Sequence, residues 1–122
     1  MPKAQEKLEL ARRHLERVQA AWDPPDWADL SLYGFYALEA AVEAASLHHG
    51  MNVQKAHWAR VEAAETLHRQ HSLPDVSALL RDLNETRKNE AYGDVQAPEL
   101  DAEAVASEIE SFIDAVGQIL GK

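Results

Sequence analysis

An all-α antiparallel bundle of about five helices is the fold class this sequence predicts, and three observations predict it. Apolar residues recur at three- and four-residue steps through almost the whole chain, the period of an amphipathic helix. No segment sustains the period-two alternation of a strand. Proline and glycine fall at a few points only, leaving short connections that set consecutive helices antiparallel. The 122 residues suit one domain over 1–122, long enough to bury a core, without a linker, low-complexity tract or internal repeat.

Helix one carries Leu8, Ala11, Leu15, Val18 and Trp22 at 3-4-3-4 spacing, with Arg12, Arg13 and Arg17 off that stripe. Asp23-Pro24-Pro25-Asp26 ends it and opens the next, with Asp23 as expected N-cap and proline in the first turn. Helix two, over about 24–48, is apolar on nearly every side: Leu30, Leu32, Tyr33, Phe35, Tyr36, Leu38, Val42 and Leu47. Five interleaved alanines allow neighbours to approach it closely. It is therefore the expected central helix, stopping at Gly50 with His48 and His49 near its negative end.

Helix three is expected from about Val53 to His71, with Trp58, Val61, Ala64 and Leu67 inward. Ser72-Leu73-Pro74-Asp75 reads as a capping-box variant opening helix four, which places Val76, Leu80 and Leu83 on one stripe and stops at Gly93. An acidic loop over 94–99 leads to Leu100-Asp101, where Asp101 is the expected N-cap and Leu100 with Val105 a hydrophobic staple. Helix five follows with Val105, Ile109, Phe112, Val116 and Leu120.

Composition then narrows function. Without cysteine, disulfides, thiolate metal sites and thiol catalysis are excluded. The chain shows neither a secretory apolar core nor a run of about 20 apolar residues, so a cytoplasmic protein that crosses no membrane is the expectation. A formal charge of -9 argues against a long phosphate-binding track, DNA included. The acidic excess is concentrated: residues 1–81 carry 9 basic and 11 acidic side chains, whereas 82–122 carry 3 and 10. The stretch 94–114 contains no base and reads either as a solvated face or as a docking surface for a basic partner.

The stripe of helix four continues to position 87, where Arg87 stands in place of an apolar residue. A guanidinium on a packing face must snorkel out or meet an acceptor. Two acceptors suit it: a glutamate of the apolar helix, such as Glu39 or Glu43, or a phosphate in a cleft, which its planar fork matches.

The segment Arg87-Lys88-Asn89-Glu90-Ala91-Tyr92-Gly93-Asp94, with Tyr33-x-x-Tyr36-Ala37-Leu38-Glu39-Ala40-Ala41 in helix two, resembles the HEPN family. These are small helical bundles found mostly in prokaryotic defence and toxin–antitoxin systems. The family's hallmark is an arginine, a polar residue and a histidine within a few positions late in a helix. The resemblance runs from about Leu30 to Leu120. It implies a homodimer whose paired motifs form a composite, metal-independent ribonuclease site, with arginine stabilising phosphate charge and histidine moving protons. It also implies Arg87, Asn89 and Tyr92 as the site residues, and a small nucleotidyltransferase as partner. Tyr92 stands where active members carry histidine, and tyrosine, with a reference pKa of about 10, is a poor base at neutral pH. The implied function is binding of RNA or a nucleotide, with weak or degenerate ribonuclease activity. On a regular helix Arg87 and Tyr92 lie roughly 140° apart, so they share a face only if the helix loosens near Gly93; Asn89 and Tyr92 share one directly.

Two other function classes fit the residues. One is a non-catalytic interaction module, in which helix two and the Arg87 face form a structural dimer and the acidic segment docks a basic protein. The other is a metal-binding bundle. Glu65-Thr66-Leu67-His68 has the Glu-x-x-His spacing of di-iron carboxylate proteins, with Glu39 and Glu43 as bridging carboxylates. Such sites need that motif twice and it occurs once, so no metal or cofactor is expected. His57, His68 and His71 read as surface or capping residues or, in the alternative, as ligands of a single metal ion. Arg12, Arg13, His14 and Arg17 form the dense basic cluster, read as a solvated face balanced by Glu9 and Glu16, or as a contact for an RNA backbone. Trp22, Trp27 and Trp58 fit core or interface packing.

Overall fold

The computed structural model describes residues 3–91 and 100–121. Within them the chain forms α1 (Lys3–Ala21), α2 (Trp27–His48), α3 (His57–His71), α4 (Ser77–Ala91) and α5 (Ala102–Ile119), the all-α bundle that the periodicity predicts. The expected stop at Gly93 and the loop over 94–99 lie outside the described residues. No helix of the described residues is long and apolar enough to cross a membrane.

α2 is the hub. Leu30, Phe35, Ala37, Leu38, Ala40, Ala41, Val42, Ala44 and Ala45 are buried around most of its circumference, and it packs against each of the other four helices. Leu8 and Val18 of α1, Leu67 of α3, Leu80 and Leu83 of α4, and Ile109, Phe112 and Ile113 of α5 complete the core. Small residues on α2 set the spacing. A Cβ on Gly34 would lie 3.0 Å from Ile109 Cδ1 and 3.3 Å from Leu83 Cδ1.

Several helix boundaries follow the local chemistry. Gly50 adopts φ +70° just past the His49 C-cap of α2, the left-handed stop glycine favours. Asp101 caps α5, its Oδ1 accepting from Glu103 N–H at 3.1 Å, with Leu100 half-buried and Val105 buried behind it.

Five expectations need correction. α2 is capped by Asp26, whose Oδ1 accepts from Asp29 N–H at 3.2 Å, and not by Asp23. A residue preceding proline is disfavoured in the α region, so Pro24, followed by Pro25, keeps the helix from starting before residue 26. Trp22 accordingly lies past the end of α1, half-buried in a bridge with Pro25. α3 starts at His57, four residues later than Val53, because Met51 and Val53 reach the core from a non-helical segment. Trp58 is 57% exposed; nine residues at about 100° each set it roughly opposite the buried Leu67. Ser72 does not open α4. It closes α3 in the left-handed region at φ 59°, its N–H bonded to Leu67 O, and Asp75 instead accepts from the N–H and Oγ of Ser77 at 3.0 and 2.7 Å. Those two bonds hold the Asp75 carboxyl below its usual range.

The Gly34 contact generates a double-mutant prediction. Gly34→Ala gains helix propensity but overpacks against Ile109 Cδ1, so it destabilises by about 1 kcal/mol. Ile109→Val removes that methyl. In its background Gly34→Ala becomes neutral or stabilising, a coupling of about 1 kcal/mol measurable by urea unfolding of the four proteins.

Candidate functional site

Glu39 and Glu43 sit one turn apart on the otherwise apolar α2, and burial raises the demand for a cation beside them. Arg60 of α3 answers it. Its Nη1 donates to Glu39 Oε2 at 2.7 Å, while Nε and Nη2 donate to Glu43 Oε1 at 3.0 and 2.6 Å. Lys7 of α1 adds a 3.0 Å ion pair to Glu43 Oε2. One cluster therefore ties three helices together. The two carboxyls respond differently. Burial pushes Glu39 up, with Arg60 only partly opposing it. Burial would raise Glu43 too, but the hydrogen bonds from Lys7 and Arg60 outweigh it and hold the carboxyl down.

This network corrects one expectation: the arginine that neutralises Glu39 and Glu43 is Arg60, not Arg87. The sequence placed Arg87 properly on the packing face of α4, one turn beyond buried Leu83, and the structure leaves it half-buried there. Its guanidinium lies over the Phe35 ring, Cζ 4.8 Å from the centroid, and Nη2 donates to the buried Asn84 Oδ1 at 2.7 Å. Its Nε is buried without a hydrogen-bond partner among the described residues. Glu39 feels the charge of Arg87 but is bonded to Arg60. Arg87 is thus a positioned cation whose described contacts include no carboxylate.

The same aromatic ring carries a second group. His57, the first residue of α3, stands with its ring centroid 5.7 Å from that of Phe35, and its Nδ1 is buried without a partner among the described residues. Burial lowers its pKa, and Lys88, Arg87, Arg60 and Arg81 lower it further. An imidazole and a guanidinium thus meet one phenylalanine of the central helix, and the charges of Lys88, Arg60 and Arg81 reach the imidazole.

The other nominated residues are placed elsewhere. Asn89 is exposed and, two residues from Arg87, lies about 200° around the helix from it, so the structure does not bring the pair together. Tyr92 lies outside the described residues. In the basic cluster, Arg17 sits over Tyr33 at 5.3 Å, and the His14 ring leans on Tyr33 and Tyr36 at 6.0 and 5.5 Å. Burial, then Arg13 and Arg17, lower the pKa of His14. Among the metal candidates, His68 Nδ1 hydrogen-bonds with Leu73 O at 2.8 Å and His71 stacks on His49 at 3.6 Å. No group of three or more His, Asp or Glu among the described residues is arranged to hold an ion.

Arg60, Asn84 and Phe35 were not nominated as site residues from the sequence, and His57 was read only as a surface or capping residue or a metal ligand. One signal was available: two glutamates on a buried helix demand a cation, though nothing local says which. Comparison with known proteins adds no assignment. Neither a family model nor a curated protein matches the chain.

Removing Arg60 tests the network. Arg60→Ala strands two half-buried carboxylates and lowers unfolding free energy at pH 7 by about 3 kcal/mol. The loss shrinks as pH falls and Glu39 and Glu43 take up protons, a trend that chemical denaturation at two pH values reads directly.

Proposed function

We infer that this chain binds the phosphate of RNA or of a nucleotide at the Arg87 face of α4, acting as a HEPN-like homodimer in a toxin–antitoxin or defence setting. The observation that supports this most is the state of Arg87. It is fixed by Phe35 and Asn84, carries an unmet Nε–H, and has its natural internal carboxylates occupied by Arg60. A guanidinium so held offers charge-assisted hydrogen bonds to an incoming anion, and phosphate fits its fork.

The site is small. Lys88 and Arg81 are exposed cations on the same helix, but no long basic track accompanies them, so binding involves one or two phosphates. Cleavage follows in this reading only to the extent that a proton-transfer group replaces the histidine missing at Tyr92. A small nucleotidyltransferase is the partner this reading proposes. A second reading, the non-catalytic interaction module, draws on Trp58, which is 57% exposed beside a cleft of about 310 Å³ lined by Met51, Val53 and Thr66.

Fluorescence anisotropy of labelled single-stranded RNA in EDTA, with AMP as competitor, separates the readings. Wild type binds with a slope of log K against log salt of about −1. Arg87→Ala loses roughly ten- to a hundredfold in affinity, the value of a charged hydrogen bond. Absence of binding to both RNA and AMP contradicts the reading and leaves the interaction module.

A further inference from the structure

Two nitrogens around Phe35 lack what their burial demands. Among the described residues, Arg87 Nε is a permanent donor with no acceptor, and His57 Nδ1 is buried with no partner of either kind. Their side chains come from different helices, α4 and α3, yet meet the same ring, Arg87 Cζ 4.8 Å and the centre of the His57 ring 5.7 Å from its centroid. Neither bonds the other, and the carboxylates of α2 that face this region, Glu39 and Glu43, are held by Arg60 and Lys7. Leaving two such atoms unmet is costly in an otherwise satisfied cluster. One species resolves both: an anion whose oxygens accept from Arg87 Nε–H and from a protonated imidazole.

We propose that Arg87 and His57 close on a single phosphate group, and that His57 takes up a proton as the phosphate enters. The inference rests on the phosphate-binding reading above and deepens it, because it makes His57 the second ligand of that site and couples occupancy to pH. The groups that face His57 set the sign. From α4 come Lys88, Arg87 and Arg81, from α3 itself Arg60, and all four disfavour its charged form beyond the effect of burial. Phe35 of α2 is neutral. An entering phosphate offsets those positive charges and gives the imidazolium an acceptor, so protonation is easier in the occupied site than in the empty one. Proton uptake on binding means tighter binding at lower pH, levelling off once the empty site is itself protonated.

The same device places an imidazole beside a bound phosphate. That supplies the residue type absent from position 92, and does so from another helix.

The test uses a short 2′-O-methyl oligouridylate, whose phosphodiesters do not titrate between about pH 5.5 and 8 and whose riboses cannot attack them. Affinity falls as pH rises, by up to about tenfold per pH unit. Calorimetry in two buffers of different ionisation enthalpy reads net proton uptake in the wild type, with no variant required. His57→Gln flattens the pH profile and removes the uptake while retaining the affinity seen at the high-pH limit; His48→Gln, an exposed histidine at the far end of α2, leaves the profile unchanged. Binding that ignores pH and takes up no proton overturns the inference, as does a profile unaltered in His57→Gln. If affinity still collapses in Arg87→Ala, either result removes only the role of His57. No binding by the wild type removes the phosphate-binding reading as well.

Discussion

Arg60 bridging Glu39 and Glu43 is the interaction on which the rest of this bundle depends. A helix buried on most sides carries two acids one turn apart, and the fold is tenable only if another element brings a cation to them. α3 does so with three hydrogen bonds, and Lys7 of α1 adds a fourth contact. Apolar packing fixes how near the helices come, through Gly34 and the alanines of α2. The ionic cluster fixes their register, because a guanidinium that reaches two carboxylates has little freedom to slide. Glu39 ends up with one such bond and Glu43 with three, which is why burial wins at the first and hydrogen bonding at the second.

The consequence reaches α4. Had Arg87 been the partner of Glu39 or Glu43, its charge would be spent inside the protein. With Arg60 in that place, Arg87 is left on the Phe35 ring with an amide oxygen as its bonded acceptor. A cation held by an aromatic face and a neutral amide keeps its full charge for an incoming anion. His57 arrives beside it because α3 begins there, and the register imposed by Arg60, three residues further on, determines where that first turn stands.

Much of this was legible from residues read one helix at a time. Asp101 and Gly50 act through local backbone chemistry, and both behave as their types dictate. Arg87 betrayed itself by interrupting an apolar stripe, and the central position of α2 followed from its composition. Errors arose where two local readings competed. Asp23 and Asp26 are equally good caps, and the proline pair between them decides for the second. Met51 and Val53 are apolar in a helix or out of one, so periodicity began α3 too early, and an i, i+3 series drifted far enough to turn Trp58 outward. The site itself was the least legible. Which arginine meets the glutamates, and that His57 faces Phe35, are facts of tertiary contact between α2, α3 and α4, and no spacing within any one of them encodes them.

The central claim is a division of labour between two arginines, and the NMR signals of their Nε–H groups test it most directly. Arg60 Nε–H, bonded to Glu43, is expected to exchange slowly with solvent and to stay unmoved when single-stranded RNA is added. Arg87 Nε–H, unpartnered among the described residues, is expected to shift as RNA is added to saturation. An Arg87 signal already locked on a carboxylate in the free protein, or one indifferent to saturating RNA while Arg60 responds, would contradict the account.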